Sequence, residues 1–229
     1  VSGFPTDHQG DERPTVAVVG MGGLGGPVSV GLAEAGVGLI LIDDDRVELS
    51  NLQRQVLFGT PDLGQDKLET AARHLAEDFP GVRITLRRGR LTRANADALL
   101  EGADLVVDAT DDPEARFIIN AWTLSRGLPA VIGGVHRFDG LVFAHDGKGP
   151  CFECLFEPTG PETETCAAGG VIGALAGVVG HLQAERALSV LRGDRSMLGL
   201  VTTIDGLRGR VRDIPLEQAA DCLVCGGPA

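Results

Sequence analysis

A mostly parallel α/β sheet with a C-terminal antiparallel extension is the architecture that three features of this 229-residue chain predict. First, residues 16–55 run through a β-branched stretch, a glycine-rich turn, a helix-like segment and a second apolar stretch that ends on Asp43, Asp44 and Asp45. Strand, tight turn, helix, strand and acid is the order of a nucleotide-holding βαβ unit, so the sheet is expected to be Rossmann-like. Second, apolar runs keep alternating with helix-length segments to about residue 132, the pattern of parallel strands with crossover helices. Third, the alternation then stops, and two C-x-x-C pairs frame the remainder.

Composition bounds what such a fold can do. The length suffices for one full core, expected over 15–229 behind a polar leader, 1–14, that has no apolar period. A formal net charge of −12 argues against nucleic acid or an anionic membrane as a non-specific partner, because those surfaces need a basic face. The most apolar stretch, 169–182, is too short to span a bilayer, and the N-terminus lacks the basic start and apolar centre of a secretory signal. A cytoplasmic location with no membrane partner is therefore expected. Five cysteines are too few for a disulfide scaffold of this size.

Each element has its own reason. Val16 to Val19 is a buried strand by β-branching, and Gly20, Gly22, Gly23 and Gly25 let the backbone come close to phosphate. A helix from about Leu24 follows, with Leu24, Val28, Leu32 and Ala35 at helical spacing, and its start offers free N–H groups to an anion. A helix over about 65–79 carries Lys67 in its first turn, where a cation is unfavourable beside the positive helix end. Solubility is the plainer account of Lys67; a phosphate partner explains its position better. Val82, Ile84 and Leu86 alternate with Arg83, Thr85 and Arg87 as a strand, and Thr92 is the expected cap of a helix over 94–100. Leu105 to Val107 reads as a buried parallel strand running into Asp108 and Asp111, at the sheet end where ligands of open α/β sheets sit. A helix over 113–126, a strand over 130–132 and an antiparallel strand over 141–144 come next. A long apolar helix is expected over 167–191, its Gly173, Gly177 and Gly180 packed closely on another helix, from this or a second subunit. Strands near 198–204 and 209–213 finish the fold, and His136 and His181 are expected to be core or interface residues.

Cys151, Cys154, Cys222 and Cys225 supply thiolates from two tight turns, enough for a closed tetrahedral Zn²⁺ site that staples the tail to the core. A redox C-x-x-C is the alternative. Asp43 suits a ribose of either NAD or ATP. Arg54 and Lys67, with Asn51 beside them and Asp111 able to hold a metal ion, favour the triphosphate of ATP over a dinucleotide.

The segments GMGGLGG, LIDDDRVELSNLQRQ, GQDKLETAARHL, VVDATDD, GGVHRFDGLVF, CFECLF and DCLVCG together resemble the ThiF/MoeB/HesA family, relatives of the ubiquitin-activating enzymes. The resemblance implies a homodimer that uses Mg-ATP to adenylate the C-terminal glycine carboxylate of a small ubiquitin-like sulfur-carrier protein ending in Gly-Gly. Carried over by position, Gly20, Gly22, Gly23 and Gly25 match the nucleotide loop and Asp43 the ribose acid. Asn51, Arg54 and Lys67 match the groups around the phosphates, and Asp111 matches the acid associated with Mg²⁺ and the reacting centre. Cys166, in the segment ETC, matches the cysteine that some members bond to the carrier's thiocarboxylate sulfur and others do without. A lone cysteine is also commonly a small buried hydrophobe.

Two departures from the family stand out. Asp112 occupies a position that is often Asn, which would leave the crevice more acidic. No arginine-bearing N-terminal helix is recognisable in 1–14, and Arg13 is a poor substitute. The sulfur donor is expected to be a separate protein. The rivals are a non-catalytic scaffold of the same fold and an NAD-dependent oxidoreductase.

Overall fold

The computed structural model describes residues 13–156 and 170–226. Strands β1 (Thr15–Val19), β2 (Gly38–Asp43), β3 (Ile84–Arg88), β4 (Leu105–Asp108) and β5 (Ala130–His136) pair in parallel. Strands β6 (Asp139–His145), β7 (Leu200–Asp205) and β8 (Arg210–Pro215) continue the same sheet antiparallel. The order across all eight strands is β3-β2-β1-β4-β5-β6-β7-β8. Chain direction across the sheet reverses between β1 and β4, so a crevice opens beyond their carboxyl ends.

Period-2 alternation sorts the central strands into two layers. Val16, Val18, Leu39, Leu41, Leu105 and Val107 face α1 (Gly25–Glu34), α2 (Lys67–Asp78) and α5 (Gly173–Leu191). Ala17, Val19, Ile40, Ile42 and Val106 face α3 (Ala96–Leu100) and α4 (Pro113–Arg126). Strands buried on both faces read as unbroken apolar runs, which is why they were legible. A smaller cluster of Ile132, Phe143, Phe152 and Val201 underlies the antiparallel part. Among the described residues, no helix is long and apolar enough to cross a membrane.

Helix α4 begins and ends where its sequence dictates. Asp112 accepts from the Glu114 N–H at 3.0 Å, Pro113 takes the first turn, and Gly127 closes the helix in the left-handed region. Elsewhere the structure moves some boundaries. α3 starts at Ala96, and Thr92 is no cap; instead Asn95 Oδ1 accepts from the Thr92 N–H at 2.7 Å. β3 is an edge strand, so Leu86 remains 40% exposed instead of facing the core. β5 runs on through Gly133 and Gly134 to His136, since β6 folds back on it directly. Gly180 of α5 does make a close approach, with room for no Cβ nearer than 2.6 Å to Leu24 O, but the neighbour is α1 of the same chain. Gly177 faces open space. His136 and His181 are exposed, not core residues.

Candidate functional site

The turn after β1 is built from glycine for steric reasons. Gly20 has φ +91°, and a Cβ there would lie 2.9 Å from Ala109 O. Gly25, buried, packs directly on the Gly20 carbonyl, which brings α1 against the strand. Asp43 braces this turn: Oδ2 accepts from the Met21 N–H at 2.6 Å and Oδ1 from the Asp45 N–H at 2.7 Å. Among the described residues, the N–H groups of Gly22, Gly23 and Leu24 donate to no protein acceptor, so the positive end of α1 is open to an anion.

Gly20, Gly22, Gly23, Asp43, Asn51, Arg54, Lys67 and Asp111 all line one crevice of about 520 Å³. Gly25 does not line it and acts through packing. Arg54 Nη2 donates to Asn51 Oδ1 at 2.8 Å, and Lys67 Nζ reaches Asp45 Oδ2 at 2.8 Å. Lys67, at the first helical position of α2, is 3% exposed, which rules out solubility as its purpose. Gln55, equally buried on the crevice wall, has an Oε1 with no partner among the described residues. Asp112 does not add free negative charge: it is paired with Arg90 at 2.7 Å while capping α4. Arg13 donates to Gly81 O beside the start of β1, at the opposite end of the sheet from the crevice. Cys166 lies outside the described residues.

At the floor between crevice and helices, Asp108 is fully buried. Burial pushes its carboxyl up to about 6, against the opposing pull of Arg116 and of the Thr110 hydroxyl and N–H. Arg116 Nε donates to Asp108 Oδ2 at 3.2 Å, and Nη2 to Thr110 O at 3.4 Å. Gln183 of α5 donates to Asp108 O at 2.5 Å, tying the long helix to the same strand end.

A second hollow of about 720 Å³ lies on the antiparallel half. Its floor is apolar, with Phe117, Ile132, Leu141 and Phe152, and its rim carries Arg208, Arg210 and Arg212. Arg116 and Val135 line both this basin and the crevice, so they form the wall between the two. Sequence reasoning missed the basin. The available signal was the segment RGRVR, 208–212, a dense basic run in a chain of net charge −12.

The cysteine pairs meet as their spacing suggests. All four Sγ atoms lie within 4.8 Å of one another, with Cys151 to Cys222 at 3.7 Å, Cys151 to Cys154 at 4.0 Å and Cys154 to Cys225 at 3.2 Å. A tetrahedron with Zn–S bonds of about 2.3 Å requires sulfurs about 3.8 Å apart, so the donor set fits zinc and none of the four is disulfide-bonded. Burial pushes Cys151 up to about 11, whereas at Cys222 the N–H groups of Cys225 and Val224 outweigh burial and bring the thiol to about 7. A cation among the sulfurs would favour the thiolate throughout. Buried Asn120 of α4 fixes the first knuckle, its Oδ1 accepting from the Phe152 N–H at 2.9 Å.

Known proteins share this arrangement of sequence and fold. A sulfur carrier protein adenylyltransferase of Thermus thermophilus is 40% identical over 232 residues, which covers 97% of this chain and 86% of that protein. The molybdopterin-synthase adenylyltransferase of Escherichia coli is 38% identical, with 98% of this chain and 92% of that one covered. The crystal structure of Escherichia coli MccB superposes with a TM-score of 0.83 at 24% identity, over 94% of this chain and 66% of that one, and supports the fold alone. The model of the ThiF family matches residues 9–224, nearly the whole length described above, and the chain belongs to that family.

Proposed function

We propose that this protein adenylates the C-terminal glycine carboxylate of a small ubiquitin-like sulfur-carrier protein with ATP, releasing pyrophosphate. One observation carries the reading: a crevice with an open helix N-terminus and the cations Arg54 and Lys67 on its wall connects, over Arg116, to an apolar basin with a basic rim. A nucleotide fits the crevice. The free N–H groups of Gly22, Gly23 and Leu24 suit phosphate oxygens, Asp43 has lone pairs left for ribose hydroxyls, and Gln55 Oε1 is an acceptor in want of a donor. The carrier is the occupant that suits the basin, because its terminal carboxylate must reach the nucleotide while its body docks outside.

In the reaction a carboxylate oxygen of the carrier forms a bond to the α-phosphorus, and the bond from that phosphorus to the β-bridging oxygen breaks. Both electrons leave with pyrophosphate, and no side-chain nucleophile is needed. Arg54 and Lys67 stabilise the charge that develops on the leaving group; turning from Asn51 and Asp45 towards it exchanges one hydrogen-bond partner for a more charged one. Asp111, exposed at the crevice mouth, is suited to hold Mg²⁺, which when bound would neutralise phosphate charge. Zinc held by Cys151, Cys154, Cys222 and Cys225 leaves no open position and serves structure only. We further propose a cytoplasmic homodimer, for which Leu49 and Val56, 70% and 72% exposed beside the crevice, offer apolar contact. Transfer of sulfur through Cys166 is a separate step, tested by Cys166→Ala, with adenylation retained and thiocarboxylate formation lost.

Carrier-dependent exchange of labelled pyrophosphate into ATP tests the proposal. Exchange with a Gly-Gly-ending carrier, lost in Asp111→Ala, is the expected result. Tight ATP binding without exchange for any such carrier would contradict it and favour a scaffold.

A further inference from the structure

We infer that Arg116 binds the substrate tail: its guanidinium donates to main-chain carbonyls of the carrier's last residues and so sets where the terminal carboxylate meets the nucleotide. This rests on the function proposed above. A chain seated in the basin with its end in the crevice must cross the wall formed by Arg116 and Val135, and of these two only Arg116 has side-chain donors. A Gly-Gly tail has no side chains, so its carbonyls are the acceptors through which its register can be read.

The arginine is prepared for this. Nε and Nη2 are engaged by Asp108 and Thr110 O, while Nη1 has no partner among the described residues. The guanidinium also lies against Gly134, where an added Cβ would come within 3.3 Å of Nη2, so the plane is held from below as well as from its edge. A planar fork can be gripped on one edge and donate from the other; an ammonium cannot. Asp108 is thereby a positioning residue. A charged pair at a fully buried carboxylate gives little net stability over an apolar pair, so it calls for another reason, and orientation of Arg116 supplies one.

The test compares wild type with Arg116→Lys in pyrophosphate exchange, using a purified ubiquitin-like carrier ending in Gly-Gly and the same carrier lacking its last two residues as competitor. Expected is a fall of about 10- to 100-fold in kcat/KM for the full carrier, the range of one charge-assisted hydrogen bond, with the KM for ATP unchanged. The truncated carrier should inhibit both proteins equally, since docking in the basin does not use the tail. If Arg116→Lys does not fold, the double variant Asp108→Asn with Arg116→Gln, which removes the buried charge with its partner, carries the same expectations. A kcat/KM within about threefold of wild type overturns the inference alone. So does weakening of ATP and truncated-carrier binding together, the signature of a purely structural residue. Wild-type protein inert towards every Gly-Gly-ending carrier would overturn the proposed function, and this inference with it.

Discussion

The parallel and antiparallel halves of the sheet hold their functional groups by different means. In the parallel half the glycine turn and the acids follow strands at once: Gly20 after β1, Asp43 at the end of β2, Asp111 just beyond β4. Strand burial fixes these positions, and little else is required. In the antiparallel half the basin is assembled from residues of β5 to β8 and from α4, and the cysteine pairs that anchor its tail lie 71 residues apart. Local chain geometry secures the first half; long-range closure secures the second.

The sharpest way to break this contrast is to remove the closure. Chelation, or Cys222→Ser with Cys225→Ser, is expected to lower the melting temperature strongly, by a loss well short of the roughly 10–16 kcal/mol of small zinc domains, because this fold has a hydrophobic core of its own. ATP binding, measured calorimetrically below the new transition, should survive. Loss of ATP binding in a protein that remains folded would show that the two halves are not independent. Freshly purified protein without bound zinc would count against the metal altogether.

Next in size is a pair of substitutions, one in each half. Arg54→Ala should reduce exchange by about 10²- to 10³-fold through kcat, as for other residues that stabilise transition-state charge, with no change in melting temperature. Arg210→Glu with Arg212→Glu should instead raise the KM for carrier and leave that for ATP unchanged, because these residues line only the basin. Steady-state exchange kinetics separate the two patterns.

The same contrast explains what the sequence disclosed. The crevice was legible because its residues belong to compact motifs: glycines that a φ of +91° or a packed carbonyl demands, and acids that end apolar runs. The cluster of four cysteines, compatible with zinc, was legible because each C-x-x-C is itself a local turn. The basin was not, since Phe117, Leu141 and Arg212 become neighbours only after β6, β7 and β8 have paired in one register. Asp112 was misread as added crevice charge for a related reason: its partner Arg90 comes from the segment after β3, and nothing in its own surroundings announces it. The buried Arg116–Asp108 pair was likewise invisible, as an acid at a strand end and an arginine on a helix are both ordinary on a surface.

A pH dependence with opposite signs in the two halves follows from the buried groups. His145 of β6 is held neutral: burial lowers it to about 4, its Nδ1 accepts from the Gly147 N–H at 3.1 Å, and Thr123 lies at Nε2. Its folded value is below its ordinary one, so the unfolded chain binds the proton more readily. Stability from this site is therefore lost as pH falls from 6.5 towards 4, by up to about 3 kcal/mol. Asp108 is raised from 3.8 to about 6, so its ionisation costs stability, of similar order, that returns as pH falls through the same window. The two contributions thus nearly cancel in wild type between pH 4 and 6, so that, relative to wild type, His145→Phe should grow more stable towards acid and Asp108→Asn less stable. Denaturant titrations at several pH values check the three slopes.

The smallest expected effect concerns the α1–α5 contact that joins the halves from behind. Gly180→Ala places a methyl about where Leu24 O now sits close, and should cost about 1–3 kcal/mol by overpacking. Gly177→Ala, in open space, should be neutral or slightly stabilising through helix propensity. Equal effects of the two in thermal melts would contradict the packing described for α5.

The central claim is that crevice and basin form one path along which a carrier tail is activated. Intact-mass spectrometry of a Gly-Gly-ending carrier, incubated with this protein and Mg-ATP and quenched in acid, tests it most directly. The expected product is a carrier heavier by one adenylate, absent when the terminal glycines are removed or Arg54 is replaced by alanine. A carrier that binds with ATP consumed but never gains the adenylate would contradict it.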